Sequence, residues 1–189
     1  TGEDMQLLEM ETMYSGVPNV EIFKKMSGGK FDLQTCERYS QEKESMYREL
    51  VAKADCGLCE GAEELFQFLK KNHHIPFTIA SASIKENIDF FVRKFHLDLW
   101  MDTNSIVYDN GTYVDKIAMF EDAKKKIGVE NNVLVFEDSL SGIRSADAIG
   151  ASLIVVYREN LKEQYEKYSS ILASVNTMKE ALPVVEKLL

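Results

Sequence analysis

The feature that most limits the possible fold is an alternation of short apolar runs with helical segments between residues 77 and 157. Its clearest unit is the apolar run VLVFE, which is followed by LSGIRSADAIG and then by a second apolar run, SLIVVY. Short apolar runs are typical of buried strands, and strands that alternate with helices form right-handed crossovers in a mainly parallel sheet. The sequence therefore predicts an α/β fold, with FTIAS (residues 77–81) as another strand.

The segments outside this alternation have other patterns. VEIFKKM and LQTCERYSQEKESMYRELVAKA have helical spacing, as does MQLLEMETMY, and Gly, Ser or Pro separate them. We therefore expect a helical domain over residues 1–58 and an α/β core over residues 59–189. SIVYDNGTYV predicts a hairpin with Asn110 and Gly111 in its turn. Polar helices are expected after the run SLIVVY, and TMKEALPVVEKLL is expected to form an outer helix.

Composition disfavours several functional classes. The chain has 22 Lys and Arg residues against 31 Asp and Glu residues, a formal charge of −9, which argues against nucleic-acid or anionic-membrane partners. No apolar run approaches the roughly 20 residues of a membrane-spanning helix, and TGEDMQ lacks the charge pattern of a signal peptide. We expect a cytoplasmic monomer whose partner is a small molecule.

The three cysteines do not suggest a disulfide framework. Cys56 and Cys59 have the spacing of a redox pair or of half a zinc site. Zinc would need two more ligands, for which the sequence offers the distant Cys36 and the neighbouring His73 and His74. A thioredoxin-like pair follows a strand, whereas the segment before Cys56 has helical spacing. A loop between helices is therefore favoured, with the redox or zinc role as the alternative.

Polar residues stand where the predicted strands end, and ligands bind beyond these ends in a parallel sheet. Ser81 ends FTIAS, Glu137 and Asp138 follow VLVF, and Lys116 begins a helix between them. A hydroxyl can hold phosphoryl oxygens, a lysine can offset their charge, and two carboxylates can hold Mg²⁺ with most of its waters. The simpler interpretation of the acidic pair is that Asp138 or Ser139 caps the next helix.

Three segments together resemble a known family. TIASAS, the region of Lys116 and VFEDSLSGIRSADAIGAS are similar, in order and spacing, to three motifs of the haloacid dehalogenase (HAD) superfamily. Within it, the similarity is greatest to the branch with β-phosphoglucomutase and sugar-phosphate phosphatases. The resemblance implies a Rossmann-like core, a helical cap domain that closes over the substrate, and a Mg²⁺-dependent reaction through an aspartyl-phosphate.

The resemblance also assigns roles to individual residues. It implies that Ser81 and Lys116 are catalytic and that the turn Ala82 to Ser83 lies at the phosphoryl site. It implies that Glu137 and Asp138 bind the metal. The segment before Lys116, YVDKIAMF, differs from the family's usual GKPxPD.

The largest departure from the family is the motif DxDG, which this sequence does not contain. In the family its first aspartate attacks phosphorus, its second serves as general acid and base, and its strand lies at the centre of the sheet. We therefore expect two apolar strands to lack a neighbour, at a cost in hydrogen bonds and buried area. We also expect that a piece of a few dozen residues is missing from this sequence.

The favoured function is hydrolysis of a small phosphorylated metabolite such as a sugar phosphate. A mutase is the first alternative, but SGVPNVE has Asn19 at about the place where the mutase has an arginine. Arg48 could still bind a distal anion of the substrate, although exposed helical arginines are common. The second alternative is a non-catalytic HAD-like protein that binds phosphate-bearing ligands without turnover.

Overall fold

The structure is a computed structural model that describes residue 14, residues 17–156, residue 165 and residues 167–189. The chain divides into two compact units, Thr1–Cys56 and Gly57–Leu189. No helix in the described ranges is both long enough and apolar enough to cross a membrane. The helix predicted over MQLLEMETMY falls almost wholly on residues outside those ranges.

The N-terminal unit is helical, as predicted. Helix α1 (Asn19–Met26) and helix α2 (Leu33–Lys53) are joined by a turn in which Gly28 and Gly29 have positive φ angles. Asp32 caps α2 by accepting a hydrogen bond from the backbone of Thr35. Hydrogen bonds from the side chain and then the backbone of Thr35 hold the pKa of Asp32 below its usual value.

A buried hydrogen bond also links the two helices. Asn19 Nδ2 on α1 donates to Glu44 Oε1 on α2 at 2.5 Å, and Glu44 is buried. Lys43 Nζ pairs with the same carboxylate at 2.6 Å. A buried carboxylate is costly unless it is paired, and these two contacts satisfy it.

Strands and helices alternate in the C-terminal unit, which confirms the predicted α/β class. In chain order its elements are α3 (Ala62–Phe68) with a π-helical turn (Leu69–His73), β1 (Ala80–Ile84), α4 (Lys85–Phe95), β2 (Val107–Asp109), α5 (Lys116–Lys126), β3 (Leu134–Glu137), α6 (Leu140–Ala148), β4 (Ser152–Val156), β5 (Ile171–Val175) and α7 (Met178–Glu186).

The strands form two parallel sheets within the described residues. One sheet pairs β1 with β2, and the other has the order β3-β4-β5. The central residues of β4 are fully buried, whereas every residue of the apolar strand β3 is only half-buried. Among the described strands, β1 and β3 each have one neighbour, as do β2 and β5. The expectation that a missing strand leaves two apolar strands without a neighbour stays a prediction.

Helices cover both faces of the three-stranded sheet. Leu153 and Val155 on β4 pack into one cluster with residues of α5 and α6, and Ile154 packs into a second cluster with residues of α3 and α7. This alternation follows from the two-residue period of a strand. Because full burial of such a side chain stabilises the fold by about 1.5–3 kcal/mol, β4 is a main anchor of the unit. It is also the strand beside β3, which carries the acidic pair.

The predicted hairpin at Asn110 and Gly111 is wrong. Strand β2 pairs in parallel with β1, and no described strand follows it before α5. Asp109 Oδ1 accepts from the Gly111 amide at 2.9 Å, and Asn110 Oδ1 accepts from the Thr112 amide at 3.0 Å. These side chains bond the backbone locally and favour a turn over a second ladder.

Two other elements differ from the sequence prediction. The first strand is Ala80–Ile84 rather than residues 77–81, because its ladder begins where β2 lies beside it: the Val107 amide donates to the Ile79 carbonyl at 2.9 Å. Strand β5 was not predicted at all. It lies at the end of its sheet and its burial alternates with exposure, so it lacks the continuous apolar run that marks a central strand.

Candidate functional site

The candidate site begins where β3 ends and α6 starts. Glu137 is the last residue of β3, and Ser139 is the N-cap of α6. The Ser139 hydroxyl accepts from the Gly142 amide at 3.1 Å. The helix is therefore capped by Ser139 rather than by Asp138, and capping does not account for either carboxylate.

The carboxylate of Glu137 lies among hydrogen-bond donors. Oε2 accepts from the backbone amides of Asp138 and Ser139 and from the Ser139 hydroxyl, each at 2.9 Å. Oε1 forms an ion pair with Lys116 Nζ. The Glu137 side chain is 9% exposed. A carboxylate on a side chain with so little exposure is stable only when donors or an opposite charge surround it, and here both do.

Gly142 makes room for this carboxylate. A Cβ atom at position 142 would lie 1.9 Å from Glu137 Oε1 and 2.0 Å from its Cδ, well inside van der Waals contact. Any larger residue would have to displace the carboxylate. No role was predicted for Gly142, although the Gly-Ile pair of the motif VFEDSLSGI was a signal for one.

Lys116 is the first residue of α5. Asp115 caps this helix by accepting from the Ala118 amide at 2.9 Å. The Lys116 side chain is 20% exposed, and its Nζ lies 5.8 Å from the centroid of the Phe120 ring. A cation in the first turn of a helix opposes the helix dipole, usually at a cost of about 0.3–1 kcal/mol. The ion pair with Glu137 offsets this cost, so the lysine is held at the site by a residue 21 positions away.

The predicted serine cluster lies on β1 and has a different local structure from the one expected. Ala82 and Ser83 were predicted to form a turn after the strand, but both lie within β1. The register with β2 shifts between Ser81 and Ile84, which is a bulge in the ladder. Ala82 and Ser83 therefore lie in an irregular part of the strand rather than in a turn.

Hydrogen bonds link the two serines of β1. The Ser83 amide donates to Ser81 Oγ at 3.2 Å, and Asn87 Nδ2 donates to Ser83 Oγ at 2.9 Å. Asn87 lies on α4 and is 2% exposed. Sequence reasoning missed Asn87, whose signal is a polar residue four positions after Ser83, facing inward on an amphipathic helix.

Arg48 belongs to a different part of the chain from the other predicted site residues. It is half-buried on α2 in the N-terminal unit. The serines, Lys116 and the acidic pair all belong to the C-terminal unit. Within that second unit, the structure brings Lys116 and Glu137 into direct contact.

The donor set fits only one kind of metal site. Mg²⁺ prefers oxygen ligands and is often held by one or two carboxylates while it keeps several waters. Asp138 and Glu137 are oxygen donors of this class, but both oxygens of Glu137 already accept hydrogen bonds. The described residues contain no group of three or more His, Cys, Asp or Glu side chains that could hold a metal. The residues therefore fit a largely hydrated Mg²⁺ bound through carboxylate oxygens, and not a closed cage.

The cysteines of the described chain are all free. Cys36 is buried in the N-terminal unit, and Cys56 and Cys59 are exposed. Residues 54–60 form no regular element, in agreement with the favoured interpretation of a loop between helices.

Comparisons with known proteins converge on one family. A family model described as haloacid dehalogenase-like hydrolase matches residues 11–150. A HAD hydrolase of family IA, variant 3, from Entamoeba histolytica is 31% identical, with 95% of this chain and 81% of that chain covered and a TM-score of 0.84.

Two more distant structures share the fold. CbbY from Rhodobacter sphaeroides, in complex with phosphate, is 16% identical, with 95% of this chain and 81% of that chain covered and a TM-score of 0.75. The β-phosphoglucomutase from Clostridium difficile is 20% identical, with 95% and 79% covered and a TM-score of 0.72. At these identities the similarity supports the fold alone.

Proposed function

Because this chain belongs to the haloacid dehalogenase-like hydrolases, we propose that it binds a small phosphorylated metabolite with Mg²⁺ and acts as a phosphatase. The class of substrate is a phosphomonoester such as a sugar phosphate. The observation that carries the proposal is the ion pair of Lys116 with Glu137, next to Asp138 and at the N-terminus of α6. It combines a cation for the phosphoryl group, a carboxylate for a metal and a helix end that favours anions.

Each residue has a distinct role in this proposal. A lysine ammonium has three N–H donors, so Glu137 can orient Lys116 while another donor meets a phosphoryl oxygen. The hydroxyl of Ser81 is the second donor to the phosphoryl group. Asp138 holds Mg²⁺, which when bound offsets negative charge on the phosphoryl oxygens.

The proposed reaction proceeds through an aspartyl-phosphate. A carboxylate oxygen attacks phosphorus, the P–O bond to the alcohol breaks, and a general acid gives the leaving alkoxide its proton. Water then gives a proton back to that group and cleaves the acyl phosphate, which releases inorganic phosphate and restores the carboxylate. In the described part of the chain, the hydrogen bonds of Glu137 join it to Lys116, to backbone amides and to the Ser139 hydroxyl, and none brings in an aspartate side chain that could make this attack. The proposal therefore assigns to the described site the holding of phosphate and metal.

Hydrolysis of p-nitrophenyl phosphate by the purified 189-residue chain, with and without Mg²⁺, tests the proposal. Because the described site has no attacking aspartate, we expect this turnover only when an upstream segment with the DxDG motif is joined to the chain. It should then depend on Mg²⁺ and fall at least about a hundredfold in Asp138→Asn and in Lys116→Met, because each removes charge from a site that stabilises a charged transition state. The matched controls are Asp147→Asn on α6 and Lys125→Met on α5, which keep full activity. Turnover that is independent of Mg²⁺, or that survives both site substitutions, contradicts the proposal.

The second candidate is binding of phosphate-bearing ligands without turnover. The observation in its favour is that the described site contains a carboxylate that can bind a metal and a lysine, but no attacking aspartate. It predicts that inorganic phosphate and Mg²⁺ bind in calorimetry while p-nitrophenyl phosphate is not cleaved.

A mutase is less well supported, because the amide of Asn19 is used within its own unit, in the bond to buried Glu44. That reading would require Arg48 to bind the distal anion of the substrate. Isomerisation of a hexose phosphate without release of inorganic phosphate would favour it over the phosphatase.

A further inference from the structure

A tyrosine far along the chain contacts the backbone of the acidic pair. Tyr165 is 3% exposed, and its hydroxyl donates to the backbone carbonyl of Asp138 at 3.0 Å. The two residues are 27 positions apart, and neither the sequence motif nor the capping of α6 requires this contact.

With this hydrogen bond, the backbone of Asp138 is held at both its amide and its carbonyl. The Asp138 amide donates to Glu137 Oε2 at 2.9 Å, while the carbonyl accepts from Tyr165. Both backbone polar atoms of Asp138 are therefore committed. With the backbone held in this way, the freedom that remains to the Asp138 carboxylate lies in its side-chain torsions.

The ring of Tyr165 is buried with the helices that carry the rest of the site. It belongs to a hydrophobic cluster that includes Phe120 on α5 and Ile143 on α6. Phe120 lies one turn from Lys116, and Ile143 follows Gly142. The position of the hydroxyl is therefore tied by packing to both helices whose first turns form the candidate site.

We propose that Tyr165 is a positioning residue that orients Asp138 for metal binding. The inference rests on the proposed function, in which Asp138 holds Mg²⁺. Tyr165 does not touch the metal or the substrate. Its hydroxyl stops the Asp138 peptide from rotating. The carboxylate is therefore already oriented when it binds the ion. Contacts that orient a metal ligand in this way commonly affect metal affinity by tenfold or more.

The test compares Tyr165→Phe with Tyr168→Phe. The first substitution removes the hydroxyl and keeps the ring. The second is a matched control, because Tyr168 packs against the same cluster but its hydroxyl accepts from Arg144 Nε at 3.3 Å. We expect the Kd for Mg²⁺, measured by calorimetry on the full chain, to rise about tenfold in Tyr165→Phe and to stay unchanged in Tyr168→Phe.

A second readout does not depend on metal or activity. In metal-free protein, the ¹⁵N chemical shift of the Ser139 amide reports the hydrogen bond to the preceding carbonyl, and it should move in Tyr165→Phe only. For active protein, kcat at saturating Mg²⁺ should recover while the Mg²⁺ concentration for half-maximal rate rises. If Tyr165→Phe only lost stability, its urea midpoint would fall while the Ser139 amide shift and the Mg²⁺ requirement stayed the same.

The outcomes separate this inference from the proposed function. If wild-type protein binds Mg²⁺ and Tyr165→Phe binds it equally well, the positioning role is overturned and the proposed function stands. If wild-type protein does not bind Mg²⁺, both are overturned. An unmoved Ser139 amide shows that the hydroxyl does not hold the Asp138 carbonyl and overturns the positioning role by itself.

Discussion

Replacement of Gly142 by alanine tests the geometry of the site most sharply. In an ordinary helix this change stabilises the protein, because alanine exceeds glycine in helix propensity by about 1 kcal/mol. At this position the added Cβ would lie 1.9 Å from Glu137 Oε1. The carboxylate must therefore move, and the sign of the effect should reverse.

The cost follows from the hydrogen bonds that Glu137 would lose. It accepts from two backbone amides, the Ser139 hydroxyl and Lys116. A hydrogen bond to a charged group contributes about 1.5–3 kcal/mol. Loss of one or two of them, offset by the gain in helix propensity, predicts a net destabilisation of about 0.5–5 kcal/mol. For a chain of this size that lowers Tm by about 2–4 °C for each kcal/mol.

Urea unfolding monitored by circular dichroism measures the free energy of unfolding directly. The matched control is Gly57→Ala, because Gly57 has an ordinary φ angle and its Cβ would meet nothing within 4 Å. We expect the control to change stability by less than about 1 kcal/mol. A Gly142→Ala protein as stable as the wild type, or more stable, would refute the placement of the Glu137 carboxylate over α6.

Three further predictions concern the rest of the C-terminal unit. The Asp122 carboxylate, which accepts from the Tyr113 hydroxyl at 2.5 Å, raises the pKa of Tyr113 from 10.0 to about 12. Because this folded-state pKa is raised, the stabilisation is complete below pH 10 and is lost as pH rises through about 12. Absorbance titration of Asp122→Asn should show the pKa of one tyrosine lowered relative to wild type. Identical titration curves would contradict the contact. Gly61→Ala should lower the free energy of unfolding measured in urea, because Gly61 has a φ of 84° and a Cβ there would lie 2.2 Å from the Lys179 backbone nitrogen. An unchanged free energy would contradict the close approach of α3 and α7. Leu153→Ala should lower the free energy of unfolding by about 2–5 kcal/mol, because Leu153 is fully buried. A decrease of less than about 1 kcal/mol would show that β4 is not central to the core.

The central strands and helices could be predicted because each carries its own signal. The run VLVF, the helix after it and SLIVVY appear in the structure as β3, α6 and β4. The hairpin failed because Asn-Gly is a local signal, whereas β2 is held by a non-local parallel partner. Strand β5 was missed because it is short, lies at the end of its sheet and has no continuous apolar run.

The positions of the candidate site residues on their elements could be predicted further than the contacts that they make. Spacing and residue type indicated Lys116, Glu137 and Asp138 at the ends of parallel elements. Nothing in the sequence indicates that Glu137 turns back over Gly142, since that depends on side-chain torsions. The contact of Tyr165 with Asp138 spans 27 residues and depends on the packed core. Such contacts follow from tertiary packing and leave no local pattern.

Crystals of the protein soaked in Mn²⁺, which substitutes for Mg²⁺ and has an anomalous signal, test the central claim most directly. The account predicts one strong anomalous peak about 2.1 Å from a carboxylate oxygen of Asp138, with Lys116 still paired to Glu137. The same peak should be absent from Asp138→Asn crystals grown and soaked in the same way. A peak at any other group of residues, or none in wild-type crystals, would contradict the assignment of this strand end as the metal and phosphate site.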